Sequence, residues 1–319
     1  MLWDGLTRIL ARRQRSEAAR CVAAAAAAIS VSNAALAKLV DRRGSAGAAE
    51  RPNVVAGLDE LLAPRELPAA VRSVFDLAGP LLERLVPTNP EHLGAYAVTA
   101  DEHPLGPMVK QVAQWYGLRD FAVYSSRAPG LTCQPFGAAH AAIVVGQGLL
   151  HGGAGAAEQR FLIARALKLA ASGMAYLVHT DSLRLEKALR DLLEHFVPRF
   201  RSGAGCAALN KALETSMSAE TCEALAADLG RLLDAGFDPE RLSAAAWRLA
   251  DRSALAMTGD CRAGLAALLR LHSRSLSPRA SECVRAVRAV PEAADLLAFA
   301  VSPPYLQVRE QAQRRSEAD

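Results

Sequence analysis

Arg119-Asp120-Phe121-Ala122-Val123-Tyr124, then Ala141-Ala142-Ile143-Val144-Val145-Gly146-Gln147-Gly148-Leu149-Leu150, then Glu158 and an apolar run from Phe161 to Leu177: this stretch decides the fold. Its two short runs rich in β-branched and aromatic residues predict strands. The glycines that follow predict a flexible loop, because neither Gly-x-Gly-x-x-Gly at a strand–helix turn nor Gly-Lys-Ser/Thr is present to cradle a phosphate. Glu158 then leads into a buried helix over Phe161–Leu177. Working outward, Ala95–Thr99 alternates as a strand does, and Leu131–Phe136 is a weaker strand. The chain is therefore expected to be α+β and mostly α-helical, with a three- or four-stranded sheet at about residues 95–145 packed against helices.

The flanks are helical. Leu2 to Arg43 returns Leu6, Ile9 and Leu10 at turn spacing before an alanine run, and Gly44-Ser45-Ala46-Gly47 follows as a linker. Pro64, Pro68 and Pro80 punctuate two or three short helices between Pro52 and Val86. Pro87-Thr88-Asn89-Pro90 is a turn, and a helix opened by Pro107 is closed by Gly117. Beyond Leu177, Leu185, Leu189, Leu192, Leu193 and Phe196 form one stripe, and Cys222, Leu225, Leu229, Leu232 and Leu233 another. Asp238-Pro239-Glu240 caps a helix over Pro239–Thr258, and Asp260 caps the next. The expected division is a helical extension over 1–43, a main domain over 50–308 and a charged, frayed tail over 309–319.

The 319 residues carry 37 basic and 33 acidic side chains, read as spread along the chain, so nucleic acid is not an expected partner. The arginine clusters interleave with acids and read as solvated helix faces. Cys21, Cys133, Cys206, Cys222, Cys261 and Cys283 lack Cys-x-x-Cys spacing and read as small buried hydrophobes in a reducing, cytoplasmic setting. Alanine is too weakly apolar, and Ser30, Ser32 and Asn33 too polar, for the uncharged run after Cys21 to span a membrane. Among the seven histidines no two stand three or four residues apart, so no metal pair is visible.

A β-branched strand ending in Gly146-Gln147-Gly148-Leu149-Leu150, before a helix that an acid opens, resembles the layout bacterial HtpX-like zinc metallopeptidases place ahead of their His-Glu-x-x-His helix. The resemblance covers roughly residues 91–258 and implies a metallopeptidase-like fold whose zinc site is degenerate. Arg165 stands at the first histidine position, Ala166 at the catalytic glutamate and Leu169 at the second histidine. On the later helix, Trp247-Arg248-Leu249-Ala250-Asp251-Arg252 keeps the family's Ala-Asp-Arg but has Trp247 in place of the ligand glutamate. No metal, cofactor or catalytic residue of that kind is then expected. In their place Asp251 is expected to pair with Arg165, and Leu169 and Trp247 to face each other and fill the former site.

A second resemblance lies in the last third. Ala250 to Asp260, Asp295 to Ser302 and Tyr305-Leu306 look like the terminal domain of long bacterial tetratricopeptide-repeat proteins, which implies a scaffold or binding role. The expected function is thus a non-catalytic protein-interaction domain, a pseudopeptidase, with a protein partner or a second copy meeting the Leu2–Arg43 segment. The alternative from a different class is a hydrolase with a site around Cys133, His140 and His151, in which a thiol beside an imidazole would supply the nucleophile.

Overall fold

The computed structural model describes residues 2–31, 34–41, 58–85, 89–128, 130, 132–137, 140–200 and 217–316. The glycine-containing linker after Arg43, the turn residues Pro87 and Thr88, Leu131 and Cys206 lie outside them. The fold is α+β and mostly helical, as expected, with a four-stranded mixed sheet. The chain divides into two compact units, and the division falls within two long helices.

The first unit comprises residues 1–62, 153–165 and 248–319. It holds α1 (Leu2–Arg12), α2 (Ser16–Ala28), α3 (Ala34–Asp41), α4 (Leu58–Leu62), the start of α8 (Ala156–Ala171), the end of α12 (Pro239–Thr258), and α13 (Cys261–Leu271), α14 (Ala280–Arg288), α15 (Pro291–Phe299) and α16 (Pro303–Ser316). The chain turns at Gln14 and Ser30, both at positive φ, and so folds the expected N-terminal helical stretch into three pieces. At the centre is α2, which packs against α1, α3, α13 and α16. Its Ala18, Ala19, Val22, Ala23, Ala25 and Ala26 are fully enclosed, and side chains this small let helix axes approach closely. Ser30 Oγ donates to Ser277 O at 2.9 Å, on the loop before α14. Helix α2 is therefore part of this unit's core, and residues 2–31 and 34–41 belong to the unit and are not a separate extension.

The tail also differs from expectation. Helix α16 continues past Arg309 to Ser316. Arg309 Nε lies 3.5 Å from Glu17 Oε1, and Arg15 grips Glu310 at 2.9 and 3.2 Å. Ion pairs to α2 and to the turn before it hold a segment whose composition alone reads as frayed.

The second unit comprises residues 63–152 and 166–247. Strands β1 (Ala95–Val98), β2 (Phe121–Ser126), β3 (Cys133–Phe136) and β4 (Ala141–Gly146) lie in the order β1-β2-β4-β3. Only β2 and β4 run parallel; the other two pairs are antiparallel. Every residue of β4 is buried, as its unbroken apolar run requires of a central strand covered on both faces. Around the sheet are α5 (Ala69–Leu85), α6 (Gly106–Trp115), α7 (Gln147–His151), the end of α8, α9 (Ala175–His179), α10 (Ser182–Phe196), α11 (Ala219–Ala235) and the start of α12.

Two departures here have physical causes. Helix α5 runs straight through Pro80, because Val71, Val74, Phe75, Ala78, Leu81 and Leu82 form one continuous buried face that outweighs the lost hydrogen bond. Helix α8 ends at Ala171 and not at Leu177, because Gly173 takes a φ of +63° and presses its backbone against Phe75 O of α5. The expected loop after β4 holds the short helix α7.

Candidate functional site

Helix α8 is enclosed from Phe161 to Ala170, so any polar side chain in that span must find a partner. Arg165 finds one within the first unit. Its Nε donates to Asp251 Oδ1 at 2.6 Å and its Nη2 approaches Asp251 Oδ2 at 3.5 Å. Arg165 is 7% exposed and Asp251 2%. The pair expected from the sequence is thus present, and it ties α8 to α12. Burial, the largest cause, pushes the Asp251 carboxyl up to about 6; Arg165 pulls it down, and Glu292 and Asp295 push it further up.

The next residue of the Ala-Asp-Arg run takes a different partner. Arg252 meets Asp295 of α15 in a two-pronged pair at 3.0 and 2.9 Å and donates to Leu62 O at 3.2 Å. Its guanidinium carbon lies 4.9 Å from the centre of the Phe299 ring. Asp251 and Arg252 therefore point to different helices, and the stretches behind the two resemblances meet at Arg252, Asp295 and Phe299. Sequence reading did not single out Asp295. Its signal was available in the polar residue placed within the apolar run of α15.

The other positions that the resemblance assigns to a site, Ala166, Leu169 and Trp247, lie in the second unit. Ala166 and Leu169 are fully enclosed. Trp247 is only half-buried, so it does not fill an enclosed cavity as expected. Its position just ahead of the buried Leu249-Ala250-Asp251 turn places it at the margin of the apolar face.

Cys133 and His140 lie towards opposite ends of β4. Cys133 is 4% exposed and pairs with Val145, near the end of β4, whereas His140 precedes the first residue of that strand. Ala141 and Val145 are four residue steps apart along the strand, about 13 Å at the usual rise. His140 stands in solvent with Nδ1 3.7 Å from Asp120 Oδ2, and His151 is exposed at the end of α7. The imidazole that does reach β3 is His179, whose Nε2 lies 2.6 Å from Pro135 O and whose ring stacks on Phe136 at 4.1 Å. Phe136 pairs with Ala142, while Cys133 shares the opposite face with Ile143 and Val145. The thiol and this imidazole therefore address different sides of the sheet.

Also in the second unit, a cleft of about 380 Å³ is lined by Arg65, Glu66, Val71, Phe237, Asp238 and Arg241 among others. Asp238 accepts from Glu240 N at 3.0 Å and pairs with Arg241 at 3.0 Å, so its charges are committed to opening α12. Among the described residues, no three His, Cys, Asp or Glu side chains converge as a metal-binding group. Comparison of the chain with protein-family models, with curated proteins and with solved structures finds no match.

Proposed function

We propose that this chain is a non-catalytic interaction domain, built on a metallopeptidase-like layout in which an ion pair stands at the former metal position. The observation that carries the reading is the enclosed Arg165–Asp251 pair. A guanidinium keeps its charge at any accessible pH, so a fixed cation occupies the place where the resembled peptidases hold one bound by ligands. Neither Ala166 nor Leu169 can take a proton from water, and Trp247 offers no oxygen to a metal.

With chemistry absent from that position, the role falls to surfaces. The segment over Leu2–Arg43 is the one we assign to contact, since its inner side is taken by its own unit while Leu6, Ile9 and Val40 stay exposed. Metal analysis and a broad peptidase and esterase screen on the purified full chain test the reading. The expected result is no retained zinc and no chelator-sensitive hydrolysis. Stoichiometric zinc together with hydrolysis that a chelator abolishes would overturn it. The hydrolase alternative at Cys133 would have to bring a buried thiol to two exposed imidazoles, one of them at the far end of β4.

A further inference from the structure

We propose that the outer face of the N-terminal helices docks on an anionic lipid surface. Charge is not spread evenly along this chain. Residues 1–43 hold eight basic and three acidic side chains, a net charge of +5, against +4 for all 319 residues. Two of the three acids are committed locally: Asp4 pairs with Arg8, and Glu17 is buried against Arg20 and Arg309. At the end of α1, Arg12 and Arg13 are exposed, and on α3 so is Lys38. None of the three faces a carboxylate among the described residues.

Apolar exposure concentrates on the same helices. Leu6 is 38% exposed, Ile9 52% and Val40 39%; these are three of the six large apolar side chains so exposed among the described residues. Helix α1 is split lengthwise. Trp3, Thr7 and Leu10 face inward, with Trp3 packed beside Ala23, Ala26 and Leu36. Leu6 and Ile9, one turn apart, face outward, and Arg13 follows Ile9 by another turn.

The occupant follows from that mixture. A nucleic acid would use the arginines and leave the aliphatic side chains in water, and no exposed aromatic ring stands on these helices to stack on a base. A bilayer surface uses both: leucine, isoleucine and valine enter the boundary below the headgroups, while arginines extend their stems outward to the phosphates. Each basic side chain near an anionic leaflet adds affinity that salt removes. This inference rests on assigning contact to Leu2–Arg43 and is independent of the Arg165–Asp251 argument.

Co-sedimentation of the full chain with phosphatidylcholine vesicles, with and without phosphatidylglycerol, tests it. Binding is expected only to the anionic vesicles, and is expected to fall about ten-fold or more between about 50 and 500 mM salt. The pairs Leu6→Ser with Ile9→Ser, and Arg12→Glu with Arg13→Glu, are each expected to lower it about ten-fold without moving the unfolding midpoint. No binding, equal binding to neutral vesicles, or unchanged binding by both double variants would overturn the inference. Concentration-dependent self-association without vesicle binding would also overturn it while leaving the interaction-domain reading intact; chelator-sensitive hydrolysis would sink that reading and leave the lipid result standing.

Discussion

Arg165 donates its Nε–H to Asp251 at 2.6 Å, with both side chains buried. Two charges taken out of water recover much of the cost through each other, so the pair is worth far less than the loss of either member. Arg165→Met or Asp251→Leu alone should each destabilise by about 3–5 kcal/mol, because each breaks a buried, hydrogen-bonded pair and strips the remaining side chain of that partner. The double variant should recover most of that loss. Urea unfolding of the four proteins measures the coupling, and additive losses would show that the two side chains are independently solvated.

The same pair sets a pH dependence. The Asp251 carboxyl titrates at about 6 in the folded state against an ordinary 3.8, so the folded chain binds this proton more tightly than the unfolded one. Its contribution is fully present below about pH 4 and is lost as pH rises through about 6, a change on the order of 3 kcal/mol. Relative to Asp251→Asn, the wild type should gain stability on going from pH 7 to pH 5. Parallel stability profiles for the two proteins across that window would mean that Asp251 is already ionised there.

In the second unit α5 and the turn after α8 make a close backbone contact. A Cβ on Gly173 would sit 2.3 Å from Phe75 O, and one on Gly79 2.6 Å from Gly173 O. Gly173→Ala combines that clash with a positive φ, so it should cost more than about 2 kcal/mol. Gly94 has a similar φ of +60° with open space around it, and Gly94→Ala should cost only about 1 kcal/mol. Thermal melts of the two variants separate crowding from backbone strain.

The elements that the sequence made legible are those whose signals are local. Pro239–Thr258 is bounded as the Asp238-Pro239 start and Gly259-Asp260 end require, and Asp260 caps Ala263 N at 2.9 Å. Strands β2 and β4 were equally plain as short β-branched runs, and the Leu185, Leu189, Leu192 and Leu193 stripe because burial on one face fixes a period. What was hidden depends on distant partners. Gly173 reads as one more glycine until Phe75 is seen against it, and the Arg309 tail reads as frayed until Glu17 is found beside it. Within the candidate site, Arg165 and Asp251 were linked by position in a resembled family, whereas the burial of Trp247 turns on neighbours that no spacing rule supplies.

The enclosure of α2 changes what removal of the N-terminal helices should do. An extension joined by a linker would leave the rest of the chain intact when deleted. Here Ala18, Ala19, Val22, Ala25 and Ala26 are covered by their own unit, and α13 and α16 pack on that helix. Deleting residues 1–43 uncovers apolar faces of both, at about 25 cal/mol for each Å² exposed. The truncated chain should therefore aggregate or melt well below the parent. A finer test enlarges one fully enclosed alanine: Ala19→Leu should cost about 1–3 kcal/mol by overpacking, whereas Arg13→Ala on the exposed turn should stay within about 0.5 kcal/mol. If the truncated chain keeps the parent's midpoint and Ala19→Leu is silent in denaturant unfolding, α2 contributes nothing to the core, and residues 1–43 are separable after all.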